Sequence, residues 1–218
     1  MAFLSTGSES FDRFLEGGYE KSVITTIYGP SGTGKTTTCL ISAISASKEG
    51  KVIFIDTEGG FSVERLKQLT KDYDAVLEKI FLLKPTAFAE QKQGIVKLHN
   101  AFPKGISLII CDTISALYRV ERGEDNKGLN SELGKQVGML LEIARKNDIP
   151  VLLTNQVYAD FEDKTNVKMV GGDILSYSSK CLVELKSHHG SKRSAFLRKH
   201  RFLPEKEFEF EIKENGIF

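Results

Sequence analysis

Eight residues near the start of this 218-residue chain, Gly29–Thr36, constrain it more than any other stretch. Their sequence, Gly-Pro-Ser-Gly-Thr-Gly-Lys-Thr, matches the P-loop pattern G-x-x-x-x-G-K-[ST]. The β-branched run Val23–Tyr28 before it predicts a buried strand, and Thr37–Glu49 after it predicts a helix that stops at Gly50. Strand, glycine loop and helix, in this order, form the context in which the pattern binds phosphate.

The composition of this loop suits a polyphosphate. Glycines let backbone N–H groups curl around an anion, and a helix beginning near Gly34 adds the positive end of its dipole. Lys35 can reach the β- and γ-phosphates and the Thr36 hydroxyl can bind Mg²⁺, so we predict an ATP and Mg²⁺ site. A glycine-rich turn without a ligand would leave the flanking strand and helix unexplained. The predicted nucleotide-binding residues are Gly29, Pro30, Ser31, Gly32, Thr33, Gly34, Lys35, Thr36 and Thr37.

Composition limits the classes of function. A chain of 218 residues suffices for one well-buried domain and hardly for two, so residues 1–218 are expected to form a single domain. The formal net charge of +1 gives no overall nucleic-acid signature, so any DNA contact must come from local patches. Three widely spaced cysteines without a C-x-x-C pair predict buried, reduced thiols in an intracellular protein.

The chain shows no signal for membrane insertion. It does not open with a basic-then-apolar leader, and no apolar run approaches the ~18 residues that cross a bilayer. We therefore expect a cytoplasmic protein that makes no membrane contact.

Apolar runs alternate with amphipathic stretches along the chain, a pattern typical of an α/β fold. Strands are predicted at 52–55, 80–83 (buried), 107–112 and 151–154. Helices are predicted over 86–102, over 130–147 and after a Ser62 cap, the last with Val63, Leu66, Leu69 and Tyr73 facing inward. Shorter strands at 181–186, 195–199 and 208–212 predict an antiparallel extension of an otherwise parallel sheet. Residues 1–22 are expected to form a lead-in with a short helix that carries Phe11, Phe14 and Leu15.

Carboxylates follow two of the predicted strands. Asp112 follows the four apolar residues 108–111, as the aspartate of a Walker B strand does when it holds the Mg²⁺ of a bound nucleotide. Asp56 and Glu58 follow the strand 52–55, where open α/β sheets place their ligands. An aspartate that only caps the next helix is the alternative for Asp112, although the P-loop upstream favours the metal role.

Taken in order, several short sequences resemble the core of the RecA/RadA recombinase family. They are Gly29–Thr36, Ile55–Glu58, Val63–Leu66, Ile110–Thr113, Thr154–Val157, Gly171–Gly172 and Leu203–Glu205, and they extend over nearly the whole chain. The resemblance implies a RecA-like P-loop ATPase core, in which helices flank a mostly parallel central sheet with antiparallel C-terminal strands.

The resemblance also implies roles for three side chains. Glu58 matches the catalytic glutamate that activates the water attacking the γ-phosphate, and a solvated strand-end carboxylate is the alternative. Arg65 matches the arginine that stacks on adenine, where a plain surface arginine is the alternative. Gln156 matches the glutamine that senses the γ-phosphate and signals to the loop after it.

Lys199 and Arg201 resemble the trans-acting Lys-x-Arg finger of RecA- and KaiC-type ATPases. Side chains two apart on a strand share a face, so both are expected to reach a neighbouring subunit's γ-phosphate and stabilise its transition state. A solvated basic face remains open, as does a DNA-phosphate patch continuing Lys186, His188, His189, Lys192, Arg193 and Arg198. The predicted catalytic residues are Lys35, Glu58, Gln156, Lys199 and Arg201.

Two polar segments, 119–130 and 158–172, resemble the family's DNA-binding loops and are expected to be mobile. Their candidate DNA contacts are Arg119, Arg122, Lys164 and Lys168. The second segment contains three acidic residues and two lysines, so we expect it to bind the DNA phosphate backbone weakly. The family's separate N-terminal DNA-binding domain and Phe-x-x-Ala tether are also expected to be missing. Strand exchange by this chain alone is therefore not expected.

Together these features predict an ATP-binding, weakly hydrolysing accessory protein in homologous recombination and DNA repair. The expected partners are DNA, either single-stranded or branched, and a recombinase or junction-processing nuclease, with homo-oligomerisation as a further possibility. Two other classes remain open: a nucleotide-gated binding module that needs no hydrolysis, and a KaiC-like regulatory ATPase unrelated to DNA. Asn155–Val157 and Gly171–Gly172 favour the recombinase side.

Overall fold

The computed structural model describes residues 2–123, 126–159 and 167–218. Thirteen strands lie in these residues: β1 Phe3–Leu4, β2 Tyr19–Glu20, β3 Ile24–Tyr28, β4 Lys51–Asp56, β5 Ile80–Leu83, β6 Ile106–Asp112, β7 Val151–Asn155, β8 Val157–Ala159, β9 Val167–Met169, β10 Cys181–Ser187, β11 Lys192–Lys199, β12 Lys206–Lys213 and β13 Gly216–Ile217.

The same residues contain eight helices: α1 Glu9–Phe14, α2 Lys35–Ala46, α3 Val63–Leu69, α4 Tyr73–Leu77, α5 Phe88–Asn100, α6 Ala116–Glu121, α7 Lys127–Asn147 and α8 Gly172–Ser178. None of these described helices combines the length and the apolar character that crossing a bilayer would require.

Nine strands form one sheet in the order β13-β12-β11-β10-β3-β7-β6-β4-β5. The six strands from β10 to β5 run parallel, whereas β10, β11, β12 and β13 pair antiparallel in succession. The predicted α/β fold, with a mostly parallel sheet and antiparallel C-terminal strands, is therefore confirmed. Because β3 lies at the centre, the loop after it opens at the carboxyl edge, where β4, β6 and β7 also end.

Alternating strand residues feed two hydrophobic cores, one on each face of the sheet. On β6, Leu108 and Ile110 pack with α2 on the first face, while Ile109 and Cys111 pack with α5 and α7 on the second. This alternation follows from the two-residue period of a strand. Both faces of the central strands are thus covered by helices, as parallel sheets require.

The lead-in belongs to the first core. Phe11 on α1 is fully buried, and its ring lies 5.0 Å from that of Phe208 and 5.2 Å from that of Phe210, centre to centre. The short helix was predicted at this place. The β1–β2 pair was not, because two-residue strands carry no periodic signal.

Two predictions of burial were wrong. Among the described residues β5 is the last strand of the sheet. Phe81 and Leu82 are 45% and 37% exposed because this strand has a neighbour on one side only. Val63 is 38% exposed, and the helix predicted to run on to Tyr73 breaks into α3 and α4 because Thr70 is extended. The Ser62 cap is present, since its side chain accepts a hydrogen bond from the Arg65 N–H.

The two segments predicted as loops contain regular structure. Residues 119–121 end α6 and residues 127–130 begin α7. Segment 158–172 contains most of β8, all of β9 and the first residue of α8. The Tyr118 hydroxyl on α6 donates a hydrogen bond of 2.5 Å to the Asn130 side chain near the start of α7, so a polar residue of this segment serves helix packing. Residues 124–125 and 160–166 of these segments lie outside the described residues.

The three cysteines are buried and free, as predicted. Burial raises the pKa of the Cys39 and Cys111 thiols and raises that of Cys181 to about 12. None of these thiols is a nucleophile at neutral pH in the folded protein.

Phe11→Ala is expected to destabilise the fold by about 3–5 kcal/mol, because it removes a buried ring from an aromatic cluster that cannot collapse fully. Phe81→Ala, which removes the same ring from an exposed edge position, is the matched control and should change stability by less than about 1 kcal/mol. Denaturant unfolding of both variants measures the difference. Equal losses would show that α1 is not part of the core.

Candidate functional site

The turn from β3 into α2 is shaped by close contacts that exclude side chains. A Cβ on Gly29 would lie 2.3 Å from the Leu185 carbonyl oxygen, and one on Gly34 would lie 2.3 Å from Cδ1 of Ile212. Gly34 also has φ +103°, a left-handed conformation, at the N-cap of α2. Glycine is therefore required at Gly29 by the backbone of β10 and at Gly34 by its left-handed backbone conformation.

A cleft of about 300 Å³ lies over this turn. It is lined by Ser31, Gly32, Gly34, Lys35, Thr36, Thr37, Glu58, Gln156, Arg193 and Ile212. The cleft brings the P-loop together with side chains that follow β4 and β7. A larger cavity of about 490 Å³ lies between α1, α2 and β13, but no P-loop residue or strand-end carboxylate lines it. The chemistry therefore favours the smaller cleft.

The ammonium of Lys35 sits within the curve of the loop. Its Nζ donates hydrogen bonds of 2.8 Å to the carbonyl oxygens of Gly29 and of Pro30. Burial lowers the pKa of Lys35, and the nearby Asp112 and Glu58 oppose that shift. The two carbonyls thus hold a buried cation at the place where a phosphate would meet it.

Asp112 connects three elements at the edge of the sheet. One carboxylate oxygen accepts a hydrogen bond of 2.7 Å from the Thr36 hydroxyl on α2, and the other accepts one of 2.5 Å from the Thr154 hydroxyl on β7. Neighbouring Asp56 is bound differently, because its carboxylate accepts the backbone N–H groups of Gly60 and Phe61.

The Thr36–Asp112 pair fits a magnesium ion. A hydroxyl and a carboxylate in contact are oxygen donors of the kind that Mg²⁺ takes, and Mg²⁺ usually keeps water and substrate phosphate as its other ligands. Nowhere in the described parts of the chain do three or more His, Cys, Asp or Glu side chains cluster as an all-protein metal site. This donor set matches a metal that arrives with a nucleotide.

Glu58 and Gln156 meet directly across the cleft. The Gln156 side-chain amide donates a hydrogen bond to the Glu58 carboxylate, which joins the residues after β4 and β7. The Gln156 backbone carbonyl accepts the Val170 N–H at 3.1 Å, and the Asn155 amide donates to the Val170 carbonyl at 2.9 Å. A movement of Gln156 would therefore be transmitted to the segment that precedes α8.

Arg65 lies beside the C-terminal turn and is not part of the cleft lining. Its guanidinium donates hydrogen bonds to the carbonyl oxygens of Lys213 at 2.8 Å and Glu214 at 2.7 Å, and to Gln68. These bonds fix the guanidinium plane against the β12–β13 turn. Stacking on adenine stays a prediction.

Lys199 and Arg201 lie at the amino-terminal end of the parallel strands, whereas the cleft lies at their carboxyl-terminal end. β11 runs antiparallel to β10, which is parallel to β3, so β11 ends at the amino edge of β3. The premise that both residues share one strand face was wrong, because β11 ends at Lys199. Lys199 donates to the Ser176 carbonyl, and Arg201 donates to Glu20, both at 2.5 Å. Their action on a neighbouring subunit stays a prediction.

The candidate DNA contacts converge in part. Arg122, after α6, has its guanidinium 5.9 Å from the Tyr118 ring centre, and it lines a cleft of about 190 Å³ with Tyr158 of the second segment. Arg119 on α6 and Lys168 on β9 are exposed. Lys164 lies outside the described residues. The two segments are therefore neighbours in space, on the carboxyl side of the sheet.

Comparisons with known proteins agree with this geometry. The Rad51 family model matches residues 1–218. A protein of Methanobrevibacter smithii named DNA repair and recombination protein RadB is 41% identical over 219 residues, covering 96% of this chain and 93% of the relative. The protein of the same name from Methanocaldococcus jannaschii is 44% identical over 207 residues, covering 93% and 96%.

The chain belongs to the Rad51 family. A crystal structure described as the RadB recombinase superposes on it with a TM-score of 0.86 at 38% identity, covering 99% of this chain and 98% of that one. Nucleotide binding is a property of the Rad51 family, and the P-loop cleft is where this member has the groups for it.

Two lining residues of the cleft were not assigned to it from the sequence. Arg193 was placed in a basic patch, and Ile212 was one apolar residue of a late strand. Both come from strands far along the chain, and no local pattern indicates that they would fold back over the P-loop.

Asp112→Asn is expected to raise the melting temperature of the free protein at neutral pH. Burial raises the pKa of Asp112 above its unfolded value, so the charged form destabilises the fold at pH values above that raised pKa. Asparagine never carries this charge, and threonine hydroxyls can both donate and accept. The advantage should shrink as the pH falls and Asp112 becomes protonated. Thermal unfolding at several pH values measures it.

The same variant should lose the stabilisation that Mg-ATP gives to the wild type, because a neutral amide is a poor magnesium ligand. A variant that melts lower at neutral pH, or that still responds fully to Mg-ATP, would contradict this account of Asp112.

Proposed function

We propose that this Rad51-family protein binds and slowly hydrolyses ATP and acts on DNA as an accessory factor in homologous recombination and repair. The observation that carries the proposal is the convergence of Lys35, the Thr36–Asp112 pair and Glu58 at one cleft over the P-loop. Relatives 41% and 44% identical are named DNA repair and recombination proteins, which supports the biological setting. The cytoplasm is the proposed location.

The residues of the cleft have distinct roles in this proposal. P-loop N–H groups and the positive end of α2 hold the phosphates, and Lys35 exchanges its carbonyl partners for phosphate oxygens. Thr36 and Asp112 hold Mg²⁺, which neutralises charge on the phosphates. Glu58 positions the attacking water, and Gln156 reports the γ-phosphate to the segment containing Val170.

Lys35→Ala is expected to abolish detectable ATP binding, whereas Glu58→Gln should keep binding and lose hydrolysis. Calorimetric titration with Mg-ATP and a phosphate-release assay measure the two properties separately. Lys67→Ala removes an exposed lysine that pairs with Glu64 and does not line the cleft; it is the control and should retain both. If Lys35→Ala bound Mg-ATP as tightly as the wild type, the proposed site would be refuted.

Slow hydrolysis is proposed because Lys199 and Arg201 lie at the far edge of the sheet from their own P-loop. Without a finger, phosphoryl transfer loses ~10³–10⁵ in rate, so turnover would depend on a neighbouring subunit. Self-association is thus part of the proposal.

Turnover per subunit is expected to rise with protein concentration, and Lys199→Ala or Arg201→Ala should remove that rise. Steady-state hydrolysis over a wide concentration range measures it. Lys21→Ala, a lysine that touches no part of the cleft, serves as the control, and unfolding curves check that loss of the Arg201–Glu20 pair leaves the fold intact. Rates that stay independent of concentration, unmoved by either change, would refute the trans mechanism.

DNA binding is assigned to the neighbouring segments that carry Arg119, Arg122 and Lys168, with Lys164 as a further candidate. The acidic residues of the second segment oppose a strong grip on phosphate, which is why strand exchange is not proposed. A recombinase or a junction-processing nuclease is the proposed protein partner, with single-stranded or branched DNA as the substrate.

A nucleotide-gated binding module is the second candidate, favoured by the bonds that join Gln156 and Asn155 to Val170. In that case Glu58→Gln would leave DNA or partner binding under ATP control intact. A regulatory ATPase unrelated to DNA is the third. Titration with single-stranded and branched DNA at several salt concentrations distinguishes it, because absence of affinity even at low salt would favour that class.

A further inference from the structure

Arg193 is a cation of the cleft that the proposed chemistry leaves without a role. We propose that Arg193 binds the phosphate chain of the nucleotide that is held by the P-loop of its own subunit. This inference rests on ATP binding as proposed above. It assigns to the β10–β11 hairpin a direct contact with the ligand.

The alternation of side chains along β11 places Arg193 on the face of the sheet that carries the P-loop helix. Ala195 and Leu197, two and four residues further on, are buried in the core that contains α2, and side chains two apart on a strand share a face. Arg193 is therefore on the α2 side of the sheet. It pairs with Ser187 and Phe210 near the start of β11, at the edge where α2 begins.

The Arg193 guanidinium is bonded to backbone carbonyls through one nitrogen, and its Nε donor is left without a partner among the described residues. One terminal nitrogen donates hydrogen bonds of 2.8 Å to the carbonyl oxygens of Gly190 and Lys192. Its Nε is buried and has no hydrogen-bond partner among the described residues. Across that same part of the chain, no carboxylate forms an ion pair with Arg193. Buried N–H groups of arginine are normally satisfied, so the fork points to a missing anionic acceptor.

Arg198 shows what a structural arginine on this strand looks like. It lies on the opposite face, and its Nε and a terminal nitrogen both approach the Glu184 carboxylate at 2.6 Å. Arg193 has no such partner in the described chain and instead shares its cleft with Lys35. Of the described residues that line this cleft, only Glu58 is a carboxylate, and it accepts the Gln156 amide.

Two cations and a helix N-terminus around one cleft form an anion site. The positive end of α2, Lys35 and Arg193 face a single lining carboxylate among the described residues, Glu58, so further negative charge is needed to balance them. A polyphosphate supplies that charge, and arginine binds phosphate through paired N–H groups. The ligand class is thus the phosphate chain, independent of the base.

The test compares binding of Mg-ATP and of inorganic tripolyphosphate by calorimetry. Arg193→Ala is expected to weaken both about 10- to 100-fold, the range for a lost hydrogen bond to a charged group. Arg193→Lys should recover part of the affinity because it keeps the charge without the fork. Lys192→Ala removes the same charge from the adjacent exposed residue and should change affinity less than about twofold.

The outcomes separate this inference from the proposed function. Wild type that binds neither ligand would refute ATP binding itself. Wild type that binds both, with Arg193→Ala unchanged, would refute only the role of Arg193. Weaker ATP binding with unchanged tripolyphosphate binding would place Arg193 on the nucleoside and overturn the phosphate assignment. Denaturant curves of Arg193→Ala establish that its fold is intact.

A mixture of subunits tests whether Arg193 acts in its own subunit. Arg193→Ala and Lys35→Ala are combined in equal amounts, and tripolyphosphate binding is measured again. A residue acting within its own subunit predicts no recovery of wild-type affinity in the mixture. Recovery would show that the arginine reaches a neighbour's P-loop, and the assignment within one subunit would be wrong.

Discussion

The tight turn between β3 and α2 is the constraint on which the rest of the structure depends. Gly29 touches the backbone of β10 and Gly34 touches Ile212 of β12, so the loop is pressed against strands from the far end of the chain. The same central position of β3 brings the ends of β4, β6 and β7 to the loop's other side. The P-loop, the Thr36–Asp112 pair and Gln156 meet because β3 is the central strand of the sheet.

The cleft keeps polar groups buried at a cost to the fold. Within the described residues, Lys35 is bonded to two carbonyl oxygens and Asp112 to two threonine hydroxyls. Burial shifts the pKa of each toward its neutral form. Phosphate and Mg²⁺ would supply the opposite charges that these groups lack. Such a site trades stability of the free protein for affinity, as functional sites often do.

The direction of one strand separates two sets of cations. β11 begins beside the P-loop and ends at the opposite edge of the sheet, so Arg193 and Lys199 lie at opposite ends of it. Arg193 thus lines the cleft of its own chain, whereas Lys199 and Arg201 lie away from it, bonded to Ser176 and Glu20. Hydrolysis that depends on assembly and binding that does not are both consistent with this arrangement.

Local patterns in the sequence determined the β3–loop–α2 unit, the Asp112 strand and most buried helix faces, because glycine spacing and apolar periodicity act over a few residues. The sequence alone misplaced Phe81 and Val63, and it assigned residues 119–121 and 127–129 to a loop although they are helical. Those outcomes depend on which strand lies at the edge and which helix packs against a polar side chain. Only the tertiary structure decided that Arg193 and Ile212 cover the P-loop while Lys199 and Arg201 do not, because strand order and direction are set by packing between residues far apart in the chain.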